Sequence, residues 1–163
     1  MMKLTQLLLL SVLFAAQTVF AESKPDDADA LRNVDKGKVV FDINMGDAKK
    51  MTLYLAVIRE TVDDLKRQGV QPDVILAFRG RSVRLISKDR EQMDLTVFDH
   101  LDRIAEQLAD LRNQGVRMEA CSVATRLFKV DNASLIDGIK PVGNTFVSLT
   151  GYQAQGYANI PIY

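Results

Sequence analysis

The chain has 163 residues but only one cysteine and one histidine. A single cysteine cannot form an internal disulfide. One cysteine and one histidine cannot build a zinc centre from soft ligands, so no metal and no cofactor is expected. Asn44-Met45-Gly46-Asp47 is not the glycine-rich loop that cradles phosphate, which argues against nucleotide binding. There is no G-x-S-x-G elbow and no catalytic triad, so the chain reads as a carrier or binding protein rather than a turnover enzyme. Excess charge of one sign is also lacking, since 21 Lys and Arg balance 21 Asp and Glu. That balance leaves no electrostatic footprint for nucleic acid or an anionic membrane. After the first two dozen residues no run is long and apolar enough to cross a bilayer, so no stable membrane insertion is expected.

The N-terminus has a pattern of its own. Lys3 is a short positive region, Leu7 to Ala16 is apolar apart from Ser11, and Val19-Phe20-Ala21 places small residues around Phe20 before Glu22. These are the three regions of a secretory signal over residues 1–21, which implies a periplasmic protein. The other reading of the same segment is an uncleaved N-terminal anchor. No cysteine lies near the cleavage point, so a lipoprotein is excluded. Cleavage removes one charge, Lys3, and leaves a net charge of −1. Export leads to an oxidising compartment where cysteines usually pair. Cys121 has no partner in the chain, so it is either buried and inert or a free thiol with a function.

Residues 22–36 are polar and acidic and read as a flexible lead-in to a domain over 37–163. Within that domain, Val39–Ile43 and Val74–Phe78 are short apolar runs typical of buried strands. Between them, Met51, Tyr54, Leu55, Ile58, Val62 and Leu65 mark one helical face, with Asp47 as its cap. A short helix is expected over 81–87. A longer one follows over 96–114, with Phe98, Leu101, Ile104, Ala105, Leu108 and Leu111 inward and a capping box at Thr96 and Asp99. Val116–Ala120 is a third strand, Ser122–Phe128 a short helix, and Asn132–Ile136 a turn. Ile139–Val142, 145–154 and Tyr157–Tyr163 read as strand, helix and strand, and Pro161 assigns the last strand to a sheet edge. The stretch Leu65-Lys66-Arg67-Gln68-Gly69-Val70 is echoed by Leu111-Arg112-Asn113-Gln114-Gly115-Val116, and Gln155-Gly156-Tyr157 repeats its core. Each is a helix closed by glycine and handed to a strand. Strands alternating with helices give an α/β fold, a parallel sheet covered on both faces.

In such sheets ligands bind beyond the carboxyl ends of the strands. Those ends carry Asn44, Arg79, Cys121 and Asn144. Cys121 opens a helix whose N-terminal field favours thiolate. If the second and third strands are neighbours, Arg79 adds a full positive charge beside it, and Arg126 is within reach. His100, beside the buried stripe of its helix, reads as a solvated residue. Phe146, Tyr152 and Tyr157 read as core or oligomer contacts.

Four stretches in this order resemble the DsrE/DsrF-like family, which includes small sulfur-relay subunits. They are Lys38-Val39-Val40-Phe41, the segment from Asp73 to Ile86, Gly115-Val116-Arg117-Met118-Glu119-Ala120-Cys121, and the tail from Leu149 to Ile160. The resemblance implies a three-layer α/β/α sandwich with a five-stranded parallel sheet, and a homo-oligomer, trimer or hexamer. It also implies that Cys121 accepts sulfur as a persulfide from a small sulfur species or a donor protein. The chain departs from the family at Arg79-Gly80-Arg81, where members often have His-Gly-Pro. The alternative is a non-catalytic oligomeric binding or assembly module with a structural Cys121.

Overall fold

A computed structural model of the chain describes residues 24–163, so the export segment read over 1–21 lies outside the described residues. The elements are β1 (Lys36–Ile43), α1 (Ala48–Arg67), β2 (Gln71–Phe78), α2 (Ser82–Leu85), α3 (Phe98–Asn113), β3 (Arg117–Cys121), α4 (Ser122–Leu127), β4 (Ile139–Val142), α5 (Thr145–Ala154) and β5 (Ala158–Ile162). All pairings are parallel, and the strand order is β4-β3-β2-β1-β5. This is the expected α/β sandwich with a five-stranded parallel sheet, and β5 is an edge strand that tolerates Pro161.

Period-two alternation sorts the strand side chains onto two faces. Val39, Phe41, Ile43, Val74, Leu76, Phe78, Met118 and Ala120 point to one face. They pack under Met51, Leu55, Ile58 and Val62 of α1 and Leu101, Ile104, Leu108 and Leu111 of α3. Among the described residues the opposite face is covered by α5, where Val40, Ile75 and Ala77 meet Leu149, Tyr157 and half-buried Tyr152. One helix covers what two cover on the other side, so the ends of this face stay accessible.

The repeated glycine closures share one hydrogen-bond pattern. The Val70 amide donates to the Leu65 carbonyl and that of Gly69 to Lys66. Val116 and Gly115 repeat this with Leu111 and Arg112, and Tyr157 and Gly156 with Tyr152 and Gln153. The three glycines take φ of 79°, 90° and 85°, the left-handed region that an L side chain resists.

Two local expectations are corrected. The first two strands begin earlier than their apolar runs, at Lys36 and Gln71, because backbone pairing continues where the side chains are exposed or half-buried. Pro72 fits inside β2 because β3 joins only from Ile75, so its missing N–H faces no strand. No Thr96–Asp99 box caps α3: its N-cap is Val97, which makes no side-chain cap bond, and Asp94 instead caps the 3-10 turn Leu95–Val97 that leads into it, its carboxylate accepting from the Thr96 amide at 2.8 Å. The described part of the lead-in makes surface contacts to α1: Lys24 reaches Glu60 and Asp64 at 2.6 Å each, and Gln68 donates to Asp27 at 3.0 Å.

Leu55 is wholly buried where α1 meets the sheet and α3. Leu55→Ala removes its contacts and leaves a void, and the expected loss is about 2–5 kcal/mol of unfolding free energy. Urea denaturation measures it, and a loss under about 1 kcal/mol would contradict this packing.

Candidate functional site

Alternation along β1, β2 and β3 sends Asp42 and Cys121 to the face under α5, and Arg79 follows β2 in the same phase. The register pairs Phe78 with Ala120 and Cys121 with Val142, which sets the end of β2 beside Cys121. After β3 the chain turns into α4, which packs on α2; after β4 it turns into α5 on the other face. Neighbouring parallel strands whose continuations part in this way open a crevice at their carboxyl ends.

The crevice is a cavity of about 210 Å³, lined by Arg79, Gly80, Cys121, Val123, Ala124, Leu127, Phe128, Asn144, Thr145 and Phe146. Cys121 forms its wall and is 5% exposed. The Cys121 Sγ accepts a hydrogen bond from the Thr145 amide at 3.4 Å. Asn144 caps α5, its side-chain oxygen accepting from the Phe146 amide at 3.0 Å. The Thr145 side chain is fully buried, and its Oγ1 has no hydrogen-bond partner among the described residues. Burial pushes the Cys121 thiol up, but the Thr145 amide and the amides of Ala124 and Val123 outweigh it. The net effect holds the thiol below its ordinary 9.0.

Arg79 is beside the cavity, but it brings no free charge. Its Nε and Nη2 donate to the two oxygens of Asp42 at 2.6 and 2.9 Å. The Asp42 side chain is 6% exposed and that of Arg79 18%. The pair raises the Arg79 pKa further. The guanidinium also lies 5.3 Å from the Phe146 ring centroid and 6.0 Å from that of Tyr163. Sequence reasoning missed Asp42, although an acid inside the run Val39–Ile43 demands a buried partner. It also missed Thr145, the residue after the Asn144 cap.

The remaining two candidates do not line the cavity. Asn44 sits against Gly80, where φ is +57° and an added Cβ would fall 1.9 Å from the Asn44 side-chain oxygen. Its role is to fit the turn after β2. Arg126 is exposed in the last turn of α4, away from the cavity lining. Among the described residues there is no cluster of three or more His, Cys, Asp or Glu able to hold a metal, and no helix long and apolar enough to cross a membrane.

Comparison with known proteins gives the class. The DsrE/DsrF-like family model matches residues 38–162, so the chain belongs to the DsrE/DsrF-like family. An uncharacterized protein of Aquifex aeolicus (strain VF5) is 23% identical over 125 residues, which is 76% of this chain and 55% of that protein. The chain thus spans about half the length of that curated relative. Among solved structures, a protein of unknown function from Methanobacterium thermoautotrophicum matches with a TM-score of 0.62 and 23% identity, over 78% of this chain and all of its own. The ychN protein from E. coli matches with a TM-score of 0.55 and 18% identity, over 77% of this chain and 99% of its own. At these identities the likeness shows the fold.

Proposed function

We propose that this protein is an exported sulfur carrier that holds sulfane sulfur as a persulfide on Cys121. The observation that carries this reading is the Cys121 Sγ in the wall of an apolar cavity, with the first amide of α5 donating to it. A thiolate held by amides attacks the outer sulfur of a polysulfide or of a donor protein's persulfide. The donor S–S bond breaks, its electron pair leaves with the departing thiolate, and a new S–S bond forms at Sγ. The same amides then favour the persulfide anion. No oxidant is consumed.

Delivery to the periplasm rests on Lys3, the apolar stretch Leu7–Ala16 and the Val19-Phe20-Ala21 site. Assembly into a trimer or hexamer is supported by the exposed apolar side chains Val147, Ile160 and Tyr163, outside the cavity lining. A second reading, an assembly module with a structural cysteine, is favoured by the packing of Cys121 with Val83 and Ala124.

Treatment with inorganic polysulfide followed by intact mass measurement separates the two. The carrier reading expects the wild type to gain the mass of one sulfur atom, reversed by reductant and absent in Cys121→Ser. No gain, or the same gain in Cys121→Ser, would leave only the structural reading.

A further inference from the structure

The cavity beside Cys121 has a composition that discriminates among sulfur donors. Arg79 is its one charged lining residue, and both carboxylate oxygens of Asp42 already hold that guanidinium. Val123, Ala124, Leu127, Phe128 and Phe146 make up most of the remaining wall. An inorganic dianion such as thiosulfate would enter a site with no uncompensated cation, beside a cysteine that must itself be negative to react. Desolvating two like charges together is costly. An apolar body, in contrast, gains by leaving water for this wall. The volume of about 210 Å³ is ample, since an apolar cavity of about 150 Å³ accommodates benzene. One polar group in the wall remains unpartnered among the described residues, the buried Thr145 Oγ1.

We propose that this cavity binds a small organic persulfide, R–S–SH with an apolar R group, and presents its outer sulfur to Cys121. This rests on Cys121 being the sulfur acceptor and adds the class of donor. R lies along Val123, Leu127, Phe128 and Phe146, and the sulfur end lies at Sγ with the Thr145 hydroxyl as its hydrogen-bond partner. The Cys121 thiolate attacks the outer sulfur, the donor S–S bond breaks, and R–S⁻ leaves with the electron pair. The transferred sulfur keeps its proton, giving Cys121–S–SH. Charge, sulfur and electrons balance with no added oxidant.

The test compares benzyl persulfide with thiosulfate and inorganic polysulfide on the full folded protein. Cys121 persulfide is followed by intact mass, and each rate is divided by that of free cysteine with the same donor. The expected result is a normalised preference for benzyl persulfide of about tenfold or more, the discrimination an apolar pocket can supply. Leu127→Ser, at a side chain already 69% exposed, should shrink that preference without unfolding the chain. Equal normalised rates, a lead for thiosulfate, or a preference untouched by Leu127→Ser would overturn the organic donor while leaving Cys121 as acceptor. No adduct from any of the three would overturn the acceptor reading itself.

Discussion

The first amide of α5 donates to a sulfur atom where a helix ordinarily finds an oxygen cap. The site depends on that bond. The helix gains a partner for an N-terminal amide only while the Cys121 side chain points under it. Cys121 in turn gains a positive environment only while α5 keeps its position. The Asn144 side chain takes the next amide at 3.0 Å, so the helix start is fixed at two adjacent points. Burial alone would make the thiol inert. The amides of both helices after β3 and β4 reverse that, and the thiol ends below its ordinary value. In this sheet the end of β3 is where two neighbouring chain continuations part, so the same place offers space as well as activation.

The Asp42–Arg79 pair sets the cavity's charge. Asp42 belongs to β1 and Arg79 follows β2, so the pair ties the carboxyl ends of two neighbouring strands together. Removing either partner leaves an uncompensated buried charge, a cost of about 3–5 kcal/mol. The pair therefore locks the cavity in an electrically quiet state. It also positions the guanidinium against Phe146, which lines the cavity, and against Tyr163 outside it.

The core was legible in the sequence because burial follows period. The α1 stripe Met51, Leu55, Ile58 and Val62 and the α3 stripe Leu101, Ile104, Leu108 and Leu111 are buried as the spacing requires. The starts of β1 and β2 were not legible, because Lys36 to Lys38 and Gln71 to Asp73 pair without any apolar run to mark them, joined by backbone and by a Lys36–Asp73 ion pair at 2.8 Å. Cys121 was readable as a strand end since it closes a short apolar run before a helix. The partner of Arg79 was not, because contact between Asp42 and Arg79 depends on strand order. Arg126 misled because nearness to Cys121 in sequence does not say which side of α4 a residue occupies, and Arg126 is exposed and outside the cavity lining.

The central claim is that Cys121 in the folded protein is a reachable, readily ionised thiol. Its rate of alkylation by iodoacetamide, followed across pH under native conditions, tests this most directly. The account predicts reaction without unfolding and a midpoint below that of free cysteine, since the acid form is disfavoured in the folded site. Alkylation that begins only once the protein is unfolded, or a midpoint at or above that of free cysteine, would contradict it.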